Sequence, residues 1–293
     1  MTTARDSDSG SGAAESRRVV KTVRGVPTSD GAGVRLTRVI GGQALPGLDP
    51  FLLLDEFRSD DAGDYIGGFP DHPHRGFETV TYMLAGRMRH GDNQGNTGLL
   101  GPGSVQWMTA ARGIVHSEMP EQEDGLMWGF QLWVNLPGRD KMSAPRYQDI
   151  APERIPEVTP ADGVRVRVIA GRIGETEGPV KGVATEPVYL DVALDAGARY
   201  DVALPAGHQT FAYVFENAVE IGPRGEAHTI TRGELAVLGQ HGRVELAGGE
   251  KGGRLILVAG KRLREPVARY GPFVMNTEAE IRQAFEDFQS GRF

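Results

Sequence analysis

Two short motifs, His72-Pro73-His74 and His116-Ser117-Glu118, each place two metal-ligating side chains at i and i+2. On an extended strand such side chains leave the same face, with Cα atoms about 6.5–7 Å apart. Metal–N and metal–O bonds of roughly 2.0–2.2 Å close that gap. One His-x-His alone is a weak signal. Two i,i+2 pairs, each beside an expected strand and with His74 and His116 42 residues apart, are a stronger one. On a surface, the same residues would be solvated loop histidines and an ordinary His–Glu pair. Glu78, four residues past His74, is the rival carboxylate. On an alternating strand it shares the parity of His72 and His74, so it points inward, as a ligand or as a group that orients an imidazole N–H. Three neutral imidazoles and one carboxylate leave a divalent ion with a net charge of about +1. In octahedral coordination two positions stay open. Such an N/O site suits Fe(II), and Mn, Co, Ni, Cu and Zn also fit it.

The elements that must position these residues read as β-structure. The chain has 293 residues with 41 Gly and 18 Pro, and its glycine share is about twice the usual one. The glycines separate short apolar runs, as turns do: Phe77–Leu84, Val105–Thr109, Trp128–Leu136, Val164–Ala170, Val188–Leu194, Thr210–Phe215 and Leu255–Ala259. That pattern predicts an all-β protein. The exception ends the chain, where the capping box Thr277-Glu278-Ala279-Glu280 precedes Ile281, Ala284, Phe285 and Phe288 at helical spacing. A short C-terminal helix stopping near Gly291 is expected. Residues 1–18, rich in Ser, Gly and Asp, read as a disordered tail. A faint repeat pairs Phe77 with Phe211 and Gly103 with Gly233, at offsets of 134 and 130. It predicts two domains, 19–150 and 151–293, with a proline-rich junction at 137–160.

Composition excludes several classes of protein. Cysteine is absent, so disulfides, Cys-ligated zinc, iron–sulfur clusters and thiol nucleophiles are ruled out. The formal charge is −7, which argues against nucleic acid or anionic lipid as the main partner. No Sec signal is expected at the N-terminus, and Leu255–Ala259 is far short of the roughly 20 apolar residues of a membrane span. A soluble, cytoplasmic protein is the expectation. His208, His228 and His241 form no i,i+2 pair, so no metal is expected in the second domain.

The segments Phe69–Tyr82 (FPDHPHRGFETVTY), Val105–Gly113 (VQWMTAARG), His116–Pro120 (HSEMP), Phe130–Pro137 (FQLWVNLP) and Gly271–Thr277 (GPFVMNT) resemble the signature of the pirin family of the cupin superfamily. The resemblance runs from about Val19 to Phe293. It implies a bicupin, two tandem cupin β-barrels with one metal site in the first. It also implies His72, His74, His116 and Glu118 as the ligands, favouring Glu118 over Glu78, and iron as the metal. Two positions depart from the family pattern, Ser104 for an acidic residue and Ala111 for a glycine; both concern turns.

The resemblance further implies a quercetin 2,3-dioxygenase-type activity, in which a flavonol reacts with O2 and loses carbon monoxide. Glu118 would then be the catalytic base for the flavonol hydroxyl. Phe69, Phe77, Trp107 and Met108 are candidates to wall an apolar pocket. An alternative that the same family implies is a redox-responsive iron protein that regulates a transcription factor or metabolic enzyme by direct contact.

Overall fold

The computed structural model describes residues 15–293. Residues 1–14 of the expected tail lie outside the described residues. Ser16 and Arg17 depart from that expectation. Ser16 bridges Arg243 in parallel, and Arg17 is 1% exposed. The Arg17 guanidinium donates to the carbonyls of Leu204, Pro205, His208, Gly239 and Gly242 and to Thr210 Oγ1. A fork of N–H groups matched by that many oxygens is held without any carboxylate. A polar local composition cannot foretell such a distant cradle.

The first half contains β1 (Val19–Arg24), β2 (Val26–Asp30), β3 (Val34–Ile40), β4 (Phe51–Ser59), β5 (Phe69–His74) and β6 (Phe77–Ala85). It continues with β7 (Met88–Asp92), β8 (Thr97–Leu100), β9 (Val105–Thr109), β10 (Ile114–Pro120), β11 (Met127–Asn135) and β12 (Arg146–Ile150). A seven-stranded sheet runs β12-β9-β6-β11-β4-β3-β2, and a four-stranded sheet runs β5-β10-β7-β8. Both ligand motifs lie in the small sheet, on paired strands.

The second half opens with β13 (Glu157–Ala161), β14 (Val164–Ala170) and the two-residue strands β15 (Arg172–Ile173) and β16 (Thr176–Glu177). Then come β17 (Val188–Leu194), β18 (Arg199–Ala203), β19 (Gln209–Ile221), β20 (His228–Thr231), β21 (Glu234–Leu238) and β22 (Arg243–Gly260). A hairpin of β23 (Ala268–Tyr270) and β24 (Phe273–Met275) leads into the helix α1 (Glu278–Gln289), which starts at the expected capping box on Thr277. The large sheet runs β1-β21-β19-β22-β17-β14-β13.

The two large sheets thus share one strand order, as a duplicated cupin domain requires. Their outermost strands are exchanged. β1, expected in the first domain, pairs with β21, whereas β12, which precedes the second domain, pairs with β9.

The duplicated strands are also out of phase with the proposed repeat. Phe211 lies in the core between the large sheets, but Phe77 packs with Leu52 and Val274. On β6 it is Val80 and Tyr82 that face the shared core. A one-residue slip along a strand turns every side chain to the other face, and the match Phe77–Phe211 contains such a slip.

Three cores result. The largest fills the space between the large sheets and contains Phe51, Trp107, Phe130, Phe211 and Phe215. Another packs the interior of the second domain with aliphatic residues such as Val166, Leu190, Val214 and Leu257. Burying each such side chain contributes about 1.5–3 kcal/mol. A smaller core of Val34, Leu36, Phe57, Met83 and Met88 occupies one end of the first domain. The histidines lie beside this core, facing a cavity lined by both apolar and polar residues.

Candidate metal centre

β5 and β10 pair antiparallel, with Ile114 opposite His74 and His116 opposite His72. Alternation on β10 buries Ile114, His116 and Glu118 and turns Val115 and Ser117 outward. The strand pairing therefore brings both motifs to one face, as their spacing predicts. One ring nitrogen from each of His72, His74 and His116 lies within 4.8 Å of the other two. His72 Nε2 and His74 Nε2 are 3.0 Å apart. Two nitrogens at right angles around one ion, each at roughly 2.1 Å, have the same separation of about 3 Å.

The protonation states suit an ion. His72 Nδ1 is 2.8 Å from the Pro70 carbonyl, which can only accept, so the ring proton sits on Nδ1 and the Nε2 lone pair faces the other histidines. Burial, and then the neighbouring imidazoles, hold His74 and His116 well below the usual histidine range. Both rings are neutral at pH 7, the form that ligates. Both nitrogens of His116 are buried without a hydrogen-bond partner. Leaving such an atom unpaired costs about 1–3 kcal/mol, and a cation would satisfy one of them, so the donor set fits a cation.

Glu118, 2% exposed, lines the same cavity as His72 and His74. Its oxygens are outside the group that converges within 4.8 Å. Instead, Thr81 Oγ1 is 2.8 Å from Glu118 Oε1, and Gln131 Nε2 donates to Oε2 at 2.9 Å. Glu78 is elsewhere. Gly76, at φ +90°, interrupts the strand between His74 and Phe77, so parity is not carried across. Glu78 shares the face of Val80 and Tyr82, and its Oε1 accepts from Thr109 Oγ1 at 2.7 Å. Burial pushes its carboxyl up to about 7.

A cavity of about 600 Å³ opens over the histidines, a size that suits a drug-sized molecule. Of the four candidate wall residues only Phe69 lines it. Trp107 is in the core between the sheets, Met108 packs with Ala110 and Ile114, and Phe77 meets His74 edge to face. The apolar wall is made by Leu36, Leu53, Phe57, Phe69, Met88 and Trp133. Trp133 was missed. It projects from a strand of the large sheet and touches His74, ring centroids 5.2 Å apart. Its place in the middle of FQLWVNLP was the available signal.

Also missed is the C-terminal segment. Arg75 donates its N–H to the Pro272 carbonyl and accepts from the Val274 N–H. A Cβ on Gly76 would meet the Val274 carbonyl at 1.9 Å, so only glycine allows this approach. Lys141, 1% exposed, donates to Gly76 O, Asn135 Oδ1 and Val274 O. Three bonds satisfy the whole ammonium, although burial lowers its pKa to about 8. Arg269, Gly271 and Pro272 thereby become part of the cavity wall.

Two tandem cupin domains with imidazoles converging inside the first define a bicupin. The Pirin family model matches residues 33–134 and the Pirin C-terminal cupin domain model matches residues 189–293. A Pirin-like protein of Caulobacter vibrioides is 51% identical over 278 residues, 94% of this chain and 99% of that one. Pirin of Homo sapiens is 45% identical over 279 residues, 94% of each chain. Among solved structures, quercetin 2,3-dioxygenase from Acinetobacter baumannii is similar with a TM-score of 0.86 and 32% identity, covering 95% of this chain and 98% of that one. The chain belongs to the pirin family. No helix among the described residues is long and apolar enough to cross a membrane.

Proposed function

We propose that this protein is a metal-dependent dioxygenase of the quercetin 2,3-dioxygenase type, using Fe(II) and O2 to open the ring of a flavonol-like aromatic substrate. His72, His74, His116 and Glu118 are the proposed ligands, and Glu118 the proposed base. The observation that carries the reading is the convergence of three imidazoles at the foot of an aromatic-walled cavity of about 600 Å³. A divalent ion held there would polarise the substrate oxygens and admit O2 beside them.

The chain's own residues position and deprotonate the substrate. Phe57, Phe69 and Trp133 offer flat surfaces to an aromatic ring and exclude water from it. Glu118, on the same wall, is placed to take the hydroxyl proton. Thr81 Oγ1 stands 2.8 Å from Glu118 Oε1 and 2.7 Å from Gln131 Oε1, and the Gln131 amide donates to Glu118 Oε2 at 2.9 Å. The three side chains thus form a closed ring of polar contacts that fixes the orientation of the carboxylate.

The test is direct. Protein loaded with Fe(II) is mixed with quercetin in air, and loss of the flavonol absorbance is followed together with carbon monoxide release. Turnover with both signals supports the reading; failure with every first-row divalent metal overturns it.

A further inference from the structure

We infer that Arg269 is a specificity-determining residue that selects aromatic substrates bearing an anionic group at the end remote from the chelating oxygens. The inference rests on the proposed activity at the same cavity and deepens it. Arg269 stands in the cavity wall with its guanidinium over the Trp133 ring, 4.9 Å from the centroid. The same ring also neighbours Phe77, at 4.4 Å between centroids, and His74, at 5.2 Å. His74 and the Arg269 guanidinium thus both border one indole and lie no more than about 10 Å apart, a gap that a two- or three-ring molecule bridges.

The cavity holds two carboxylates near this end, and both are taken. Arg38 Nε and Nη2 donate to Asp55 at 2.9 and 2.7 Å, and Arg38 Nη2 also reaches Asp30 at 2.8 Å. Arg269 has no carboxylate within ion-pair distance among the described residues. Its one bond is from Nη1 to the Leu52 carbonyl at 3.2 Å. A guanidinium carries five N–H groups in a rigid fork, so most donors of this exposed side chain meet no protein acceptor among the described residues and face solvent. Stacking on Trp133 and the anchor on Leu52 hold the fork in place before a ligand arrives, which lowers the ordering cost of binding. A carboxylate or sulfonate completes this arrangement by accepting two parallel N–H bonds. A neutral flavonol offers it only hydroxyls.

Equilibrium binding separates these cases without turnover. Quercetin and quercetin-5′-sulfonate are titrated into Fe(II)-loaded protein under nitrogen, with tryptophan fluorescence as the signal. The wild type is expected to bind the sulfonate about tenfold more tightly than quercetin. In Arg269→Gln the ratio of the two Kd values should fall to within about twofold of one, and Arg269→Lys should keep an intermediate ratio. Equal Kd values in the wild type, an unchanged ratio in Arg269→Gln, or no binding of either flavonol overturns the inference. Should the preference follow Arg269 while quercetin is not oxidised in air, the anion selectivity stands and the dioxygenase reading falls.

Discussion

The Arg75 guanidinium donates from Nη1 to the Asp287 carboxylate at 2.7 Å, joining the residue after His74 to the C-terminal helix across 212 positions of sequence. Both side chains are largely buried, at 3% and 14% exposed. Arg75 also lies under the Phe293 ring, at 4.3 Å, and its Nε donates to the Arg112 carbonyl. Arg112 belongs to the turn that leads into His116. One side chain therefore ties together the roots of both ligand strands.

Asp287→Asn should weaken this clasp by about 1–3 kcal/mol, read as a lower urea midpoint. The effect has a pH signature. Arg75 and then Arg292 hold the Asp287 carboxyl well below the usual aspartate range. Its stabilisation is thus present above the ordinary value of about 3.9 and disappears as pH falls toward the depressed folded value. Wild type and Asp287→Asn should converge in stability as the solution is acidified. A constant gap down to pH 2 would contradict the assignment.

His74→Ala should abolish stoichiometric metal binding, with affinity reduced at least about 100-fold, while the far-ultraviolet β signature survives. Metal content by elemental analysis after dialysis checks this. Full occupancy in the variant would remove His74 from the centre.

Thr81→Val and Gln131→Leu each break the ring around Glu118. Loss of one such supporting contact should lower metal affinity or kcat by about 10–100-fold. Comparing metal content with single-turnover rate shows whether Glu118 serves the ion, the proton or both.

Glu78 gives a contrasting pH effect. Burial lifts its carboxyl to about 7 in the folded protein, against about 4.3 unfolded. The unfolded chain then holds fewer protons between these values, so stability falls as pH rises through that window, by up to about 4 kcal/mol. Glu78→Gln should be nearly neutral at pH 5 and stabilising by about 2 kcal/mol at pH 8. Equal effects at the two pH values would refute the shift.

The histidine cluster was legible because His-x-His and His-x-Glu lie within unbroken strands, where a two-residue period sets the face. Glu78 was misplaced because Arg75 and Gly76 end one strand and start another, and the period does not survive a glycine at positive φ. The two-domain β architecture was legible from turn spacing and motif. The repeat match was not reliable to one residue, since alternating apolar runs align nearly as well one position out of phase. Arg17, Arg75, Lys141 and Arg269 left no trace at sequence level. Each has a hydrogen-bond partner more than 60 positions away, mostly a backbone carbonyl, and such partners have no periodicity.

Val19–Arg24 and the C-terminal hairpin make each half of the molecule a debtor to the other. A nick between Ile150 and Glu157 would leave the carboxyl-terminal fragment with a bare edge at Glu234–Leu238 and an empty cradle where Arg17 belongs. The amino-terminal fragment would keep Arg146–Ile150 on Val105–Thr109, carry an unpaired Val19–Arg24 and lack the Pro272–Val274 backbone that pairs with Arg75. Each piece holds the part that the other lacks, so the two fragments, expressed separately, should find one another and reassemble. A pair of identical ancestral subunits trading arms would leave this same mark once joined into a single chain.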